Sequence, residues 1–294
     1  MRLLAVHAHP DDETLSTGIT LASYAAAGHD VHVLTCTLGE EGEVIPPDLA
    51  HLEGAPGDPL GPYRLGELRS ALTVLGVTGH LLAPPTAPDR PFYRDSGMAG
   101  SAAAGHPRAF AGAPLQQVAQ RVGAVLDTLR PDVVITYDAR GGYEHPDHIR
   151  CHDAVVAALR AVPASTRPHL YVRYTPVSWE RADRRWLGRA QAAGRLPQEW
   201  IVPDAAAANA PSVVPDALVT HTVIDPGVVE VQAAALRAHT TQVIVASGAW
   251  ALSNLVAGRM SGREGFARVD VATGGLIPRS EHTPHARTGS LGDG

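Results

Sequence analysis

Leu3-Leu4-Ala5-Val6 runs without a break into His7-Ala8-His9-Pro10-Asp11-Asp12-Glu13. Four apolar residues followed by a charged, proline-stiffened turn read as a short buried strand and the loop at its C-terminal end. Residues 13–27 then read as a helix of small residues stopped at Gly28, and residues 30–37 as a second, β-branched strand. Strand–helix–strand is the unit that opens a doubly wound fold. The first turn of such folds often carries a glycine-rich phosphate loop. A bulky acidic turn offers a pyrophosphate no close backbone approach and presents like charge. A dinucleotide is therefore argued against at the place where it would bind.

The pattern continues outward from this unit. Residues 38–62 form a long Gly/Pro/Glu-rich loop. Tyr63 to Leu75 is amphipathic, with Leu65, Leu68, Leu72 and Leu75 at helical spacing. A short strand is expected around His80-Leu81-Leu82, then a second long loop over 83–113. Residues 115–130 predict a helix with Val118, Val122, Val125, Leu126 and Leu129 on one face. Asp132 to Tyr137 reads as a buried strand, followed by Gly141-Gly142-Tyr143 and a helix over 146–162. The order β-α-β-α-β-α-β-α predicts an α/β fold, a mostly parallel sheet with helices on both faces. A strand near 169–174, a helix near 178–192 and a strand near 217–224 extend it as a C-terminal elaboration. One domain is expected over 1–278, and 279–294, polar and His/Gly-rich, is expected to be a disordered tail.

Composition narrows the class. The net charge is −6 and no basic block stands out, which argues against nucleic acid or an anionic membrane as partner. The 2 cysteines, Cys36 and Cys151, exclude a disulfide framework and a cysteine-rich zinc site. Cys36, inside an apolar run, reads as a small buried hydrophobe. No run of about 18 apolar residues is present, and Leu3–Val6 is too short for the core of a signal peptide. A cytoplasmic protein is expected. Histidine is abundant at 15, and its placement carries the functional reading.

His9 and Asp12, three apart at a helix entry, can converge on one point while Asp11 between them aims elsewhere. Alone, that turn reads equally well as a helix capped by Asp11 or Asp12. A second turn, Tyr143-Glu144-His145-Pro146-Asp147-His148, repeats the logic after the fourth strand. In a doubly wound sheet the first and fourth strands are neighbours where strand order reverses, and the loops at their C-terminal ends open a crevice there. Two turns of ligand chemistry facing each other point to a shared metal site and place the active site at those strand ends. Nitrogen and oxygen ligands without thiolate suit zinc, or iron in its place. Three protein ligands leave a position for water, whose pKa the metal lowers to about 7, and a spare carboxylate can act as base. This is the constellation of metal-assisted amide or ester hydrolysis.

Ala8-His9-Pro10-Asp11-Asp12-Glu13 together with His145-Pro146-Asp147-His148 resembles the LmbE-like (PIG-L) zinc deacetylases. Thr35-Cys36-Thr37-Leu38-Gly39-Glu40-Glu41-Gly42-Glu43, Tyr63-Arg64-Leu65-Gly66-Glu67-Leu68, Arg94-Asp95-Ser96-Gly97-Met98 and Ala238-His239-Thr240-Thr241-Gln242 are similar to the mycothiol-pathway branch of that family. The resemblance spans most of residues 1–270. It implies a Rossmann-like fold, one divalent metal (Zn2+, or Fe2+) and removal of the acetyl group from N-acetylglucosaminyl-inositol. By position it implies His9, Asp12 and His148 as metal ligands and Asp11 as general base. It implies His145 as general acid or oxyanion stabiliser, Asp147 as the residue that orients or tunes it, and Tyr143 as a donor to the oxyanion. Arg64, Asp95 and Glu43 are implied to bind sugar and inositol hydroxyls, with Ser16 and Met98 lining that pocket. Arg64 with Glu67 also reads as an ordinary solvated helix pair.

Alternatives within the family are a mycothiol S-conjugate amidase, for which Lys is expected at the Ser16 position, and a deacetylase of another N-acetylglucosamine derivative. A lipid-linked substrate calls for an interfacial helix that the sequence does not display. From a different class, a sugar-binding module with a closed four-ligand metal would have no use for Asp11. His152 reads as packing or hydrogen-bonding on its helix. His239 either lines the pocket or caps a helix, and His282 and His285 are read as solvated. Glu144 either acts on His145 and an anionic substrate or points to solvent.

Overall fold

The structure, a computed structural model, describes residues 1–278 and Leu291. The expected tail, with His282 and His285, otherwise lies outside the described residues. The first half alternates as the sequence predicts: β1 (Arg2–His7), α1 (Asp12–Ala26), β2 (Asp30–Thr35), α2 (Leu60–Leu75), β3 (Thr78–Leu81), α3 (Leu115–Leu129) and β4 (Val133–Thr136). A single helical turn, α4 (Gly141–Glu144), then leads into α5 (Pro146–Ala161). There follow β5 (His169–Pro176), α6 (Val177–Ala192), β6 (Val213–Val214), β7 (His221–Ile224) and α7 (Val229–Ala238). The described chain ends in β8 (Ile244–Ala246), β9 (Ala249–Ala251), β10 (Ala257–Arg259) and β11 (Arg263–Val269).

The main sheet has the order β3-β2-β1-β4-β5-β11-β7, with β6 beside β5. Strands β3 to β5 are parallel, and β11 runs antiparallel between β5 and β7. Side chains alternate across the pleat, so both faces must be covered. Leu4, Val6 and Val134 face one layer, packed with Val118, Val122 and Leu126 of α3 and Val155 and Leu159 of α5. Leu3, Ala5, Val133 and Ile135 face the other, with Ile19 of α1, Leu68, Leu72 and Leu75 of α2 and Ala235 of α7. Cys36 and Cys151 are buried in the first layer, as small hydrophobes.

Strand order reverses at β1, which pairs with β2 on one side and β4 on the other. The turns leaving β1 and β4 therefore stand next to each other across the crevice expected at such a point. Besides the single turn α4 and the two-residue strand β6, the elements that the sequence does not predict lie after residue 225. These are α7, the three-residue strands β8–β10, and β11, whose buried Glu264 breaks the hydrophobic alternation. The Glu264 carboxylate accepts from the Ile19 and Thr20 amides at 2.9 Å each, inside α1.

Candidate functional site

The turn after β1 holds His9, Asp11 and Asp12, all buried. Asp12 Oδ2 accepts from the His9 amide at 2.9 Å and from the Tyr137 hydroxyl at 2.6 Å. The same oxygen lies 3.3 Å from His9 Nδ1 and 3.3 Å from His148 Nε2. Those two ring nitrogens are 3.4 Å apart. Burial acts to raise the Asp12 carboxyl, but His148 and His9 outweigh it and hold it well below the usual carboxylate range.

Metal bonds of roughly 2.0–2.1 Å at tetrahedral angles put neighbouring ligand atoms about 3.3–3.4 Å apart. The triangle of His9 Nδ1, Asp12 Oδ2 and His148 Nε2 has that size. The opposite side of each ring is tied down as metal-bound imidazoles require. His148 Nδ1 lies 3.2 Å from the Gly141 carbonyl. His9 Nε2 lies 3.2 Å from Asp147 Oδ2 and 3.4 Å from Asp95 Oδ1. Protons on those outer nitrogens leave lone pairs on the inner ones. Tyr137 stacks flat on His148, with ring centroids 4.0 Å apart. His9, His145 and His148 form a second grouping with ligand atoms within 4.8 Å. His145 Nδ1 already accepts the Asp147 amide at 3.2 Å, capping α5. The residues present thus fit a divalent metal, and the His9, Asp12 and His148 atoms have the spacing such an ion requires.

Gly141 is required by this packing. Its φ is +60°, and a Cβ there would stand 2.8 Å from the His148 Cβ. Asp11, at φ 100°, is also in the left-handed region. Its amide donates to Glu13 Oε2 at 2.9 Å and its Oδ2 accepts from Arg64 Nη2 at 3.1 Å. Burial pushes the Asp11 carboxyl up to about 7, against the pull of Arg64. Burial, with His9 and His148 adding, lowers His145 to about 4. A neutral His145 whose Nδ1 accepts a hydrogen bond carries its proton on Nε2.

The sequence-predicted residues divide into those drawn together and those not. His9, Asp12, His148, His145, Asp147 and Asp95 form one buried group, and Asp11 adjoins it. Tyr143 covers it, 53% exposed, with its ring edge-on to His145 and His148. Asp147 departs from the expectation that it orients His145. Its carboxylate reaches His9 and accepts the Ser96 and Ala111 amides, its backbone amide donates to His145, and its charge acts on His145 only at a distance, opposing the effect of burial. Arg64 departs from the picture of a donor fork open to a ligand or to solvent. It is 3% exposed and donates to the Gly39 and Pro10 carbonyls and to Asp11. Asp95 accepts the Gly97 amide at 2.8 Å, and its own amide donates to Glu40. Ser16, Glu43 and Met98 are not drawn into the group. The Ser16 carbonyl accepts from Arg173, Glu43 is exposed, and Met98 is 53% exposed. Glu144 is exposed and pairs with Arg140. His152 bonds the Tyr137 carbonyl at 2.9 Å. His239 is fully buried on Glu13 at the end of α7.

The sequence marks Tyr137 only as the end of a strand and Glu13 only as part of the motif. A polar residue closing an otherwise apolar strand at the switch point was the signal available for Tyr137.

A mostly parallel sheet whose switch-point turns carry buried histidines and aspartates defines a Rossmann-like α/β fold. The chain belongs to the PIG-L family: the family model, described as GlcNAc-PI de-N-acetylase, matches residues 4–159. It is 48% identical over 284 residues to the 1D-myo-inositol 2-acetamido-2-deoxy-alpha-D-glucopyranoside deacetylase of Rhodococcus opacus (strain B4), with 93% of each chain covered. It is 46% identical to the protein of the same name from Streptomyces avermitilis, covering 87% of each. Among solved structures it resembles the deacetylase of a deacetylase–teicoplanin complex, at a TM-score of 0.51 and 20% identity over 92% of this chain and 99% of that one. That likeness concerns the fold.

Proposed function

We propose that the protein hydrolyses the acetamide of 1D-myo-inositol 2-acetamido-2-deoxy-alpha-D-glucopyranoside to glucosaminyl-inositol and acetate, the deacetylation step of mycothiol biosynthesis. The observation that carries this is the triangle of His9, Asp12 and His148 with Asp11 beside it. The relatives' shared name supplies the substrate. Among the described residues no helix is long and apolar enough to cross a membrane, in keeping with a substrate free of lipid.

His9, Asp12 and His148 would hold one divalent ion, zinc or iron by ligand type. Bound there, the ion supplies Lewis acidity, lowering the pKa of water to about 7 and polarising the amide carbonyl. Asp11 takes the proton of the attacking water. Arg64 occupies its Oδ2, which leaves Oδ1 for that task. As the water oxygen bonds to the carbonyl carbon, His145 donates from Nε2 to the oxygen gaining charge, and the Tyr143 hydroxyl adds a second donor. The C–N bond then breaks, and the proton held on Asp11 passes to the departing amine. Asp147 and Asp95 keep His9 in its required tautomer. The family resemblance supports Asp95, Glu43, Ser16 and Met98 as contacts for the sugar and inositol rings, while Arg64 would act on that pocket through the loop it fixes at Gly39.

The test is incubation of the pure protein with this substrate and assay of the free amine. Faster cleavage of a mycothiol S-conjugate would overturn the assignment in favour of an amidase.

A further inference from the structure

We propose that His239 is a positioning residue for the Asp11 carboxylate, acting through Glu13. The proposal rests on the reading of Asp11 as the base. Asp11 sits at φ 100°, a strained conformation for a non-glycine residue that persists only where its surroundings impose it. The group that grips its amide is Glu13 Oε2, at 2.9 Å. The other oxygen of that carboxylate, Oε1, accepts from the Thr14 hydroxyl at 2.5 Å and lies 2.9 Å from His239 Nε2. Glu13 and His239 are both fully buried, so neither can exchange its partner for water. Without His239 the buried carboxylate would keep only the Thr14 hydroxyl and the Asp11 amide, and a buried charge short of a partner is costly to hold in that position.

The contacts close into a ring that starts and ends on α2. Arg64 of α2 holds the Asp11 side chain. Glu67, three residues on and on the same helix face, takes the Thr240 hydroxyl at 2.7 Å and the Thr241 amide at 2.8 Å. That fixes the segment directly after His239. Asp11 is thus held at its carboxylate by Arg64 and at its amide by Glu13, and both lines of force return to one helix. A segment 226 residues away in sequence supplies the piece that completes the ring. Neither Glu13 nor His239 lies where the proposed chemistry needs a proton carrier. Their arrangement is what a brace requires.

The experiment compares His239→Gln, which sets an amide N–H near the Nε2 position, with His239→Asn, which falls one methylene short of Glu13, and His239→Leu. Three quantities are read on the full chain: metal content, kcat against KM, and exchange of the Asp11 amide followed without substrate. Displacing a catalytic group by about 1 Å costs up to ~100-fold. The expected result is a fall in kcat of about 10–100-fold in Leu and Asn, KM within about twofold, metal retained and faster Asp11 amide exchange, with Gln recovering most of kcat. In the Asp11→Asn background, His239→Leu should cause no further loss, since both act on one group. Equal kcat in Gln and Asn, loss that tracks metal content, or unchanged amide exchange would overturn the proposal. If the wild-type protein released no amine, the functional reading would fall. The exchange measurement would still decide the brace.

Discussion

His9 and His148 come from turns 139 residues apart, yet their inner ring nitrogens lie 3.4 Å from each other. Burial acts to lower His9, but Asp95, Asp12 and Asp147 outweigh it and raise it well above the usual histidine range, so the site favours positive charge between the two rings. A divalent ion held there, with the outer nitrogens facing Gly141 and Asp147, would supply that charge.

Metal removal should therefore abolish amide hydrolysis, and zinc or another divalent ion should restore it, at one ion per chain. His148→Ala should lose the ion. The check is elemental analysis alongside the amine assay, and full activity in metal-free protein would end the metal reading.

Asp11→Asn should keep the ion and lose activity by about 10²–10⁴-fold, the size of a general-base contribution. The Asp11 carboxylate touches Arg64 and stands outside the triangle, so metal content is expected to be unchanged. An Asn variant without metal would make Asp11 a ligand or a fold element.

The strand and helix order up to α6 could be read because those strands are buried on both faces and their helices carry one apolar stripe. The two His/Asp turns were legible because their ligand types sit at strand ends. What sequence could not display is partnership across long separations. Arg64 reads as a donor to substrate hydroxyls, or else as half of a solvated helix pair with Glu67, but the approach of Gly39 and Pro10 buries it. Asp147 reads as a partner for its neighbour His145, but its carboxylate turns to His9. β11 hides because Glu264 stabilises α1 from a position that alternation would fill with an apolar side chain.

Arg64→Ala should therefore act on the fold as well as on catalysis. Removing a buried cation leaves Asp11 and two carbonyls without their partner, a loss of about 3–5 kcal/mol by comparison with other broken buried pairs. Thermal melting should show a clear drop in Tm, and turnover of every acetylated sugar should fall. A variant with unchanged Tm that is weakened only towards inositol-bearing substrates would restore Arg64 to direct contact with the ligand.

Tyr143→Phe should lower kcat by about 10²–10³-fold with little change in KM. The ring is half exposed and stands edge-on to His145 and His148, where its hydroxyl borders the open side of the site. Loss of the hydroxyl removes a donor that matters only as the carbonyl oxygen gains charge. Steady-state kinetics separates the two parameters, and an unchanged kcat would leave Tyr143 as a wall of the pocket.

Substrate choice gives the last prediction. Asp95 is buried beside His9, and its amide and carboxylate are held by Glu40 and Gly97. A hydroxyl bound at this wall is therefore fixed relative to the reacting carbonyl. Binding energy from a remote inositol ring can then orient the acetamide, which raises turnover as well as affinity. Free N-acetylglucosamine lacks that ring. Each lost buried hydrogen bond is worth about 0.5–1.5 kcal/mol, and more to a charged partner. Two or three such losses lower kcat/KM by roughly a hundredfold or more, at tenfold per 1.4 kcal/mol. Asp95→Asn should narrow that gap, unless it first disturbs His9, which metal analysis would reveal. Parallel rates on N-acetylglucosaminyl-inositol, N-acetylglucosamine and a mycothiol S-conjugate decide the order. Equal rates on the first two would show that the inositol ring contributes nothing, and a preference for the third would identify an amidase.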